Sequence, residues 1–309
     1  MSAHELYIEG IGFWASRLPG WETAREVLRG NAQAQSTPST RPSPALLPPA
    51  ERRRAPDTVA VALEVAARAC ESAGRDPKTL ASVFASTHGD LAISDALCDT
   101  LAKTPSLTSP IKFHNSVHNA AAGYWTIGTG CVKPYTSLSG YYYTFSEGLL
   151  ECMVQALSEN APVLYVAFDI EARGPVGTMQ PSRGVFAGAL VISPEARDST
   201  IARLAWEVCE DAAPRQTQPR PENAALVEGN AMANGLTLFE ALADGVERDI
   251  SQTLAPHLSL RIRVTPGTVT GTVVEPIGVP SRPAIEGRKA SAPEVRQAST
   301  PFDLLKRAQ

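Results

Sequence analysis

Apolar positions along the chain change period several times, and each change marks an element. Residues 6–13, apolar except for Glu9, read as a strand, followed by a turn at Pro19-Gly20 and a helix over 21–28. Between residues 58 and 73, Val59, Leu63, Ala66, Ala67 and Cys70 recur at helical spacing, with Asp57 placed to cap the start and Gly74 to stop the end. Residues 83–86 predict a short strand. Asn119 stands as the N-cap of an apolar helix beginning at Ala120, residues 136–139 predict a buried strand, and residues 145–157 predict a helix. Strands follow at 163–168, 184–192 and 201–208, then one or two helices within 223–242 and a last strand at 258–264. Strand and helix in alternation predict an α/β layered domain with helices on both faces of a sheet.

Proline placement divides this pattern. Residues 33–56 carry Pro38, Pro42, Pro44, Pro48, Pro49 and Pro56 among Ser, Thr and Arg, which predicts an exposed, mobile loop. From residue 265 onward the chain is rich in Pro, Gly, Thr and Ser, which predicts a disordered tail over 265–309 behind a domain spanning 1–264. At 309 residues, 43% of them hydrophobic and 19% charged, the chain is long enough to bury a sizeable core. A formal charge of −4 argues against a nucleic-acid surface, which needs clustered Lys and Arg. No apolar run approaches the roughly 20 residues of a membrane-spanning helix, and no basic-then-apolar leader opens the chain. The five cysteines are scattered and form no C-x-x-C, so a reducing cytoplasm fits better than a disulfide framework or a zinc knuckle.

Candidate chemistry is sparse. His114 and His118 lie at i, i+4, a spacing that puts two imidazoles on one helical face in some zinc sites. The pair lacks the glutamate of H-E-x-x-H, and an N-cap at Asn119 leaves both ahead of the helix, so capping, packing or an interface role is the better expectation. No metal or other cofactor is expected. Ser137-Leu138-Ser139-Gly140 lacks the G-x-S-x-G spacing of a nucleophile elbow. Cys152 falls on the apolar side of a helix, where a thiol is buried and inert. Tyr141, Tyr142 and Tyr143 stand together at a strand-to-helix junction, where consecutive rings point in different directions.

One stretch carries a family likeness. Asn119-Ala120-Ala121-Ala122-Gly123, continued through Ile127, Gly130 and Pro134 to Thr136-Ser137-Leu138-Ser139, resembles the N-terminal half of the β-ketoacyl-(acyl carrier protein) synthases of thiolase fold. Ile8-Glu9-Gly10-Ile11-Gly12 resembles that family's first strand and turn, Ser86-Thr87-His88-Gly89 its Gly-containing loop, and residues 183–191 its glycine-rich strand. Asn223-Ala224-Ala225, followed by Met232-Ala233-Asn234-Gly235, resembles the helix that closes the first half. The resemblance covers residues 6–264 and implies a thiolase-like layered fold, essentially the N-terminal half only. It implies that the family's nucleophilic cysteine falls on Tyr142, a poor thioester acceptor with an ordinary pKa near 10. The half that brings the family's two catalytic histidines has no counterpart.

In those departures the chain resembles the chain-length factors that pair with a catalytic ketosynthase in type II polyketide systems, and most of all the shortened subunits of aryl polyene pathways. The resemblance implies a non-catalytic partner that forms a heterodimer with a ketosynthase, meets an acyl carrier protein through that complex and shapes the acyl-chain pocket. Tyr142 would then plug the vestigial acylation site, with Tyr141, Tyr143, His114, His118, Asn119, Phe145, Leu149 and Met153 at the pocket or interface. A competing expectation is a stand-alone acyltransferase or thioesterase built on His114, His118 and a serine such as Ser116. A third is a degenerate scaffold with no pocket role.

Overall fold

The structure is a computed structural model that describes residues 4–39 and 41–267. It begins with β1 (His4–Ala15), β2 (Leu18–Pro19), α1 (Trp21–Leu28), α2 (Pro49–Arg54), α3 (Asp57–Ala73) and β3 (Ala81–Ala85). Then come α4 (Leu91–Lys103), α5 (Pro110–Asn115), α6 (Ala120–Thr129), β4 (Tyr135–Leu138), α7 (Thr144–Ser158), β5 (Val163–Asp169) and α8 (Gly174–Met179). The remainder is β6 (Phe186–Ser193), β7 (Ala202–Glu210), α9 (Pro221–Ala224), α10 (Leu236–Asp244), β8 (Arg248–Ala255) and β9 (Leu258–Pro266). All nine strands lie in one mixed sheet of order β4-β3-β5-β6-β1-β7-β9-β8, with β2 paired to β1.

Two apolar layers hold the sheet. On one face α3 and α6 bury Val59, Val65, Ala66, Ala69 and Trp125 against Phe84, Leu164, Val166, Phe168 and Val191. The other face buries α1, α7 and α10 against Leu6, Ile8, Val83, Tyr165, Leu190 and Ile192. α3 approaches β1 so closely that a Cβ on Gly12 would stand 1.9 Å from the Val65 carbonyl oxygen, and one on Gly10 2.1 Å from that of Ala69. Here glycine is required by space. Just before them Glu9 sits at a break in the β1–β6 register, fully buried and held by both guanidinium arms of Arg75 at 2.7 Å. That bidentate pair is what allows a charge in the middle of the strand.

The strands and helices expected from periodicity are present, with instructive departures. α3 starts one residue early: Pro56 is its N-cap, and Asp57 makes no capping bond but pairs with Arg41 at 3.0 Å. Gly74 ends α3 in the left-handed conformation, as expected. β4 is not buried; it is an edge strand whose four residues are half-exposed or exposed, because it pairs with β3 alone. Residues 33–56 include the helix α2 and tuck Pro42, Pro44 and Leu47 against the domain. The tail expected over 265–309 lies outside the described residues except for 265–267, where Thr265 and Pro266 complete β9.

The hairpin β8–β9 extends the sheet beside β7 and turns its apolar face inward. Ile250, Leu254, Leu260, Ile262 and Val264 join the core around α7 and α10. The hydroxyl of Ser146, on α7, donates to the Thr253 carbonyl at 2.5 Å. The outer edge of β8 is covered by side chains and backbone of the preceding loop: Thr217 N–H donates to Ser251 O (2.8 Å), Ser251 N–H to Thr217 Oγ1 (2.9 Å), and Thr253 N–H to Gln216 Oε1 (2.9 Å). One edge of the sheet is therefore closed, and among the described residues the β4 edge is open, which is the feature that proteins normally protect unless another chain uses it.

Candidate functional site

The parallel strands β3, β4 and β5 end side by side, and the loops leaving them build a polar cluster, the usual place for chemistry in an open α/β sheet. Asp169, last residue of β5, is fully buried. Its carboxylate accepts the Ser86 hydroxyl (2.8 Å), the Thr87 N–H (2.8 Å) and the His88 N–H (3.2 Å). Burial pushes this carboxyl up to about 6, against the pull of those donors. Burial lowers His88, whose Nε2 is enclosed without a partner among the described residues. The Ser86 hydroxyl also receives the Gly89 N–H at 2.8 Å, so one short loop is pinned by one serine and one aspartate.

From this hub the bonding continues to the end of β4. Thr87 Oγ1 meets Thr144 Oγ1 at 3.0 Å, the Ser139 hydroxyl donates to Thr87 O at 3.1 Å, and Gly140 N–H donates to Thr144 Oγ1 at 3.0 Å. Tyr141–Tyr143 form a single 3-10 turn leading into α7. Tyr141 has φ 56 and is one of two non-glycine residues with positive φ among the described residues. The rings of Tyr141 and Tyr142 lie 4.1 Å apart at 65°, their hydroxyls 3.2 Å apart. That bond raises the Tyr141 phenol above its ordinary value.

The expected site residues separate into three groups. His118 bonds to Ser86 O (2.7 Å) and Ser137 Oγ (3.2 Å), tying β4 to the β3–α4 loop. His114 belongs to α5 and packs edge-on to Tyr124 instead, while the Ser116 hydroxyl turns back to Phe113 O, so the His114–His118–Ser116 constellation is not assembled. No group of three metal-capable side chains occurs among the described residues. Asn119 occupies the N-cap of α6 but makes no capping bond; its Nδ2 donates to the Tyr135 hydroxyl at 2.9 Å, bracing the open edge.

Tyr141 and Tyr142 are exposed, at 55% and 60%, so Tyr142 does not plug a cavity within its own chain. Phe145, Leu149 and Met153 are fully buried in this chain's core, because the i, i+4, i+8 face of α7 lies on the sheet; they are not free to meet a partner. Cys152 is buried beside them, its thiol pushed well up by burial. In the sequence Ser86, Thr87 and Ser137 stand only as members of short motifs, and Asp169 and Thr144 carry no motif. Their available signal was an aspartate ending an otherwise apolar strand.

Residues 21–250 match the profile of the family described as beta-ketoacyl synthase, N-terminal domain. The chain belongs to that family. No curated protein sequence matches it. Among solved structures, a chain of the ketosynthase ApeO in complex with its chain length factor ApeC from Xenorhabdus doucetiae superposes with a TM-score of 0.62 at 20% identity, over 83% of this chain and 98% of that one. A chain of the AntDE:AntF complex, a type II PKS acyl-carrier protein with its ketosynthase, gives 0.64 at 11% identity, over 86% and 100%. The ishigamide ketosynthase/chain length factor gives 0.58 at 13%, over 85% and 99%. At such identities the likeness is one of fold. In this β-ketoacyl synthase-like domain the elbow after β4 carries tyrosines and no thiol. No helix among the described residues is long and apolar enough to cross a membrane.

Proposed function

We propose that this chain is a non-catalytic, chain-length-factor-like partner of a catalytic β-ketoacyl-(acyl carrier protein) synthase. It forms a heterodimer with that enzyme, helps shape the acyl-chain pocket in polyene, polyketide or fatty-acid-type biosynthesis, and meets the acyl carrier protein only through the complex, in the cytoplasm. The domain carrying this role is residues 1–264. The observation that supports the reading best is the coincidence of an open sheet edge with a tyrosine elbow. Because Ser82 N–H and Ser86 N–H donate to Pro134 O and Leu138 O, the alternate residues Tyr135 and Ser137 turn their backbone groups outward. Beside them Tyr135, Val117, Tyr141 and Tyr142 are exposed. A strand edge supplies hydrogen bonds and the rings supply contact area to a second chain. Several of the fold's relatives of known structure are themselves complexes of a ketosynthase with a chain length factor or carrier protein.

Tyr135→Pro removes one outward N–H and leaves the β3 ladder intact. Co-purification with a ketosynthase from the same organism should be lost in that variant and kept in the wild type. Intact-protein mass spectrometry with acyl carrier protein thioesters should show acylation on the partner's cysteine alone. Acylation of this chain at any residue would overturn the reading.

A further inference from the structure

The tyrosine elbow holds a strain that packing within this chain does not explain. Tyr141 sits at φ 56, in the left-handed region that large L side chains avoid. Its ring is mostly exposed, so burial in this chain does not offset the cost. The conformation is nevertheless over-determined. The Tyr141 carbonyl accepts from the hydroxyls of Thr144 (2.9 Å) and Thr87 (3.4 Å), and the Gly140 carbonyl accepts from Tyr143 N–H (2.9 Å). Thr87 is itself held by Asp169 through its N–H and by Ser139 through its carbonyl. A network of four side chains thus keeps one residue in a disfavoured state, which is the pattern expected where strain serves a contact made elsewhere.

What the strain achieves is placement. It packs Tyr141 edge-to-face on Tyr142 with their hydroxyls in contact, two rings fixed relative to each other just past the open β4 edge. Tyrosines supply large, rigid area at low entropic cost and dominate the centres of protein interfaces. We propose that Tyr141 is the anchor by which the ketosynthase partner recognises this subunit, the left-handed backbone being held in the free chain so that the Tyr141–Tyr142 pair is presented ready-made. This rests on the partner reading above. The occupant is the ketosynthase, because the pair continues the same edge that strand pairing would use.

The test separates backbone from ring. Asparagine tolerates the left-handed conformation, so Tyr141→Asn relieves the strain and removes the ring, whereas Tyr141→Phe keeps the ring. Thermal midpoints of the full chain alone are measured beside dissociation rates of its complex with the ketosynthase. Tyr141→Asn should melt at or above the wild type while its complex dissociates at least about 10-fold faster, and Tyr141→Phe should fall between the two. A Tyr141→Asn complex as long-lived as the wild type would overturn the anchor. So would a large fall in the midpoint of the isolated variant, which would show the ring packing within its own chain. A wild-type chain that binds no ketosynthase would overturn the partner reading and the anchor with it. Loss of self-association in Tyr141→Asn without any ketosynthase present would assign the pair to a second copy and refute the proposed occupant.

Discussion

Asp169 gives the elbow network a pH signature whose sign is fixed. In the unfolded chain its carboxyl titrates near 4; in the folded chain burial raises it to about 6. Between those values the native state keeps a proton that the unfolded state has released. Stability therefore falls as pH rises through the window, and above pH 6 the ionised, buried carboxylate costs on the order of 3 kcal/mol, about two pH units at 1.36 kcal/mol each. His88 works in the opposite sense. Burial lowers its imidazole, so its contribution is present above its unfolded value near 6.5 and is lost as pH falls through the lower folded one. The raw stability profile mixes both slopes. Subtracting the profile of Asp169→Asn isolates the carboxyl: from pH 4.5 to 7.5, in urea unfolding followed by tryptophan fluorescence, the variant should gain about 2 kcal/mol on the wild type, the rest of the change lying below pH 4.5. Parallel profiles, or a variant that loses ground as pH rises, would refute the reasoning.

Other consequences are simpler to read. Gly12→Ala drives a Cβ to 1.9 Å from a carbonyl oxygen on α3, and restoring contact distance requires strand and helix to part, so a loss of about 3 kcal/mol or more in chemical denaturation is expected. Gly123→Ala, inside α6 with nothing within 4 Å, should instead gain up to about 1 kcal/mol; similar values for the two would contradict the close approach. Thiol labelling of the native chain should modify exposed Cys98 quickly and half-buried Cys209 more slowly. Cys70, pushed up to about 12 by burial, and buried Cys131 and Cys152 should react only after unfolding. Tyr142→Ala should cost no more than about 1 kcal/mol in the isolated chain, since the ring is exposed; a loss of several kcal/mol would restore the plug.

Periodicity was enough to locate α1, α3, α6, α7, β5 and β6, because each buries a face whose spacing its own residues record. The segment β8 escaped notice although Ile250, Gln252 and Leu254 alternate inward; the middle position is a glutamine, made tolerable only by Gln216 Nε2 at 2.8 Å and the Asn234 carbonyl at 3.2 Å. The α4–α5 arm was missed for a related reason: of α4 only Leu97 is buried, so no apolar stripe marks it. Family resemblance, carried by short motifs in order, was sufficient for the thiolase-like class. What faces what was not legible. A helical stripe shows that Phe145, Leu149 and Met153 are covered, but not whether a sheet of the same chain or a partner covers them. Likewise β4 reads as an ordinary strand until its neighbours are known, because an edge is defined by the strand that fails to arrive. The strained Tyr141 lies further still from the sequence, since no propensity places a tyrosine at positive φ; only hydroxyls and a carboxylate brought from residues 87, 139, 144 and 169 hold it there. Local pattern records how much of a residue is buried, while contacts across tens of residues decide against what.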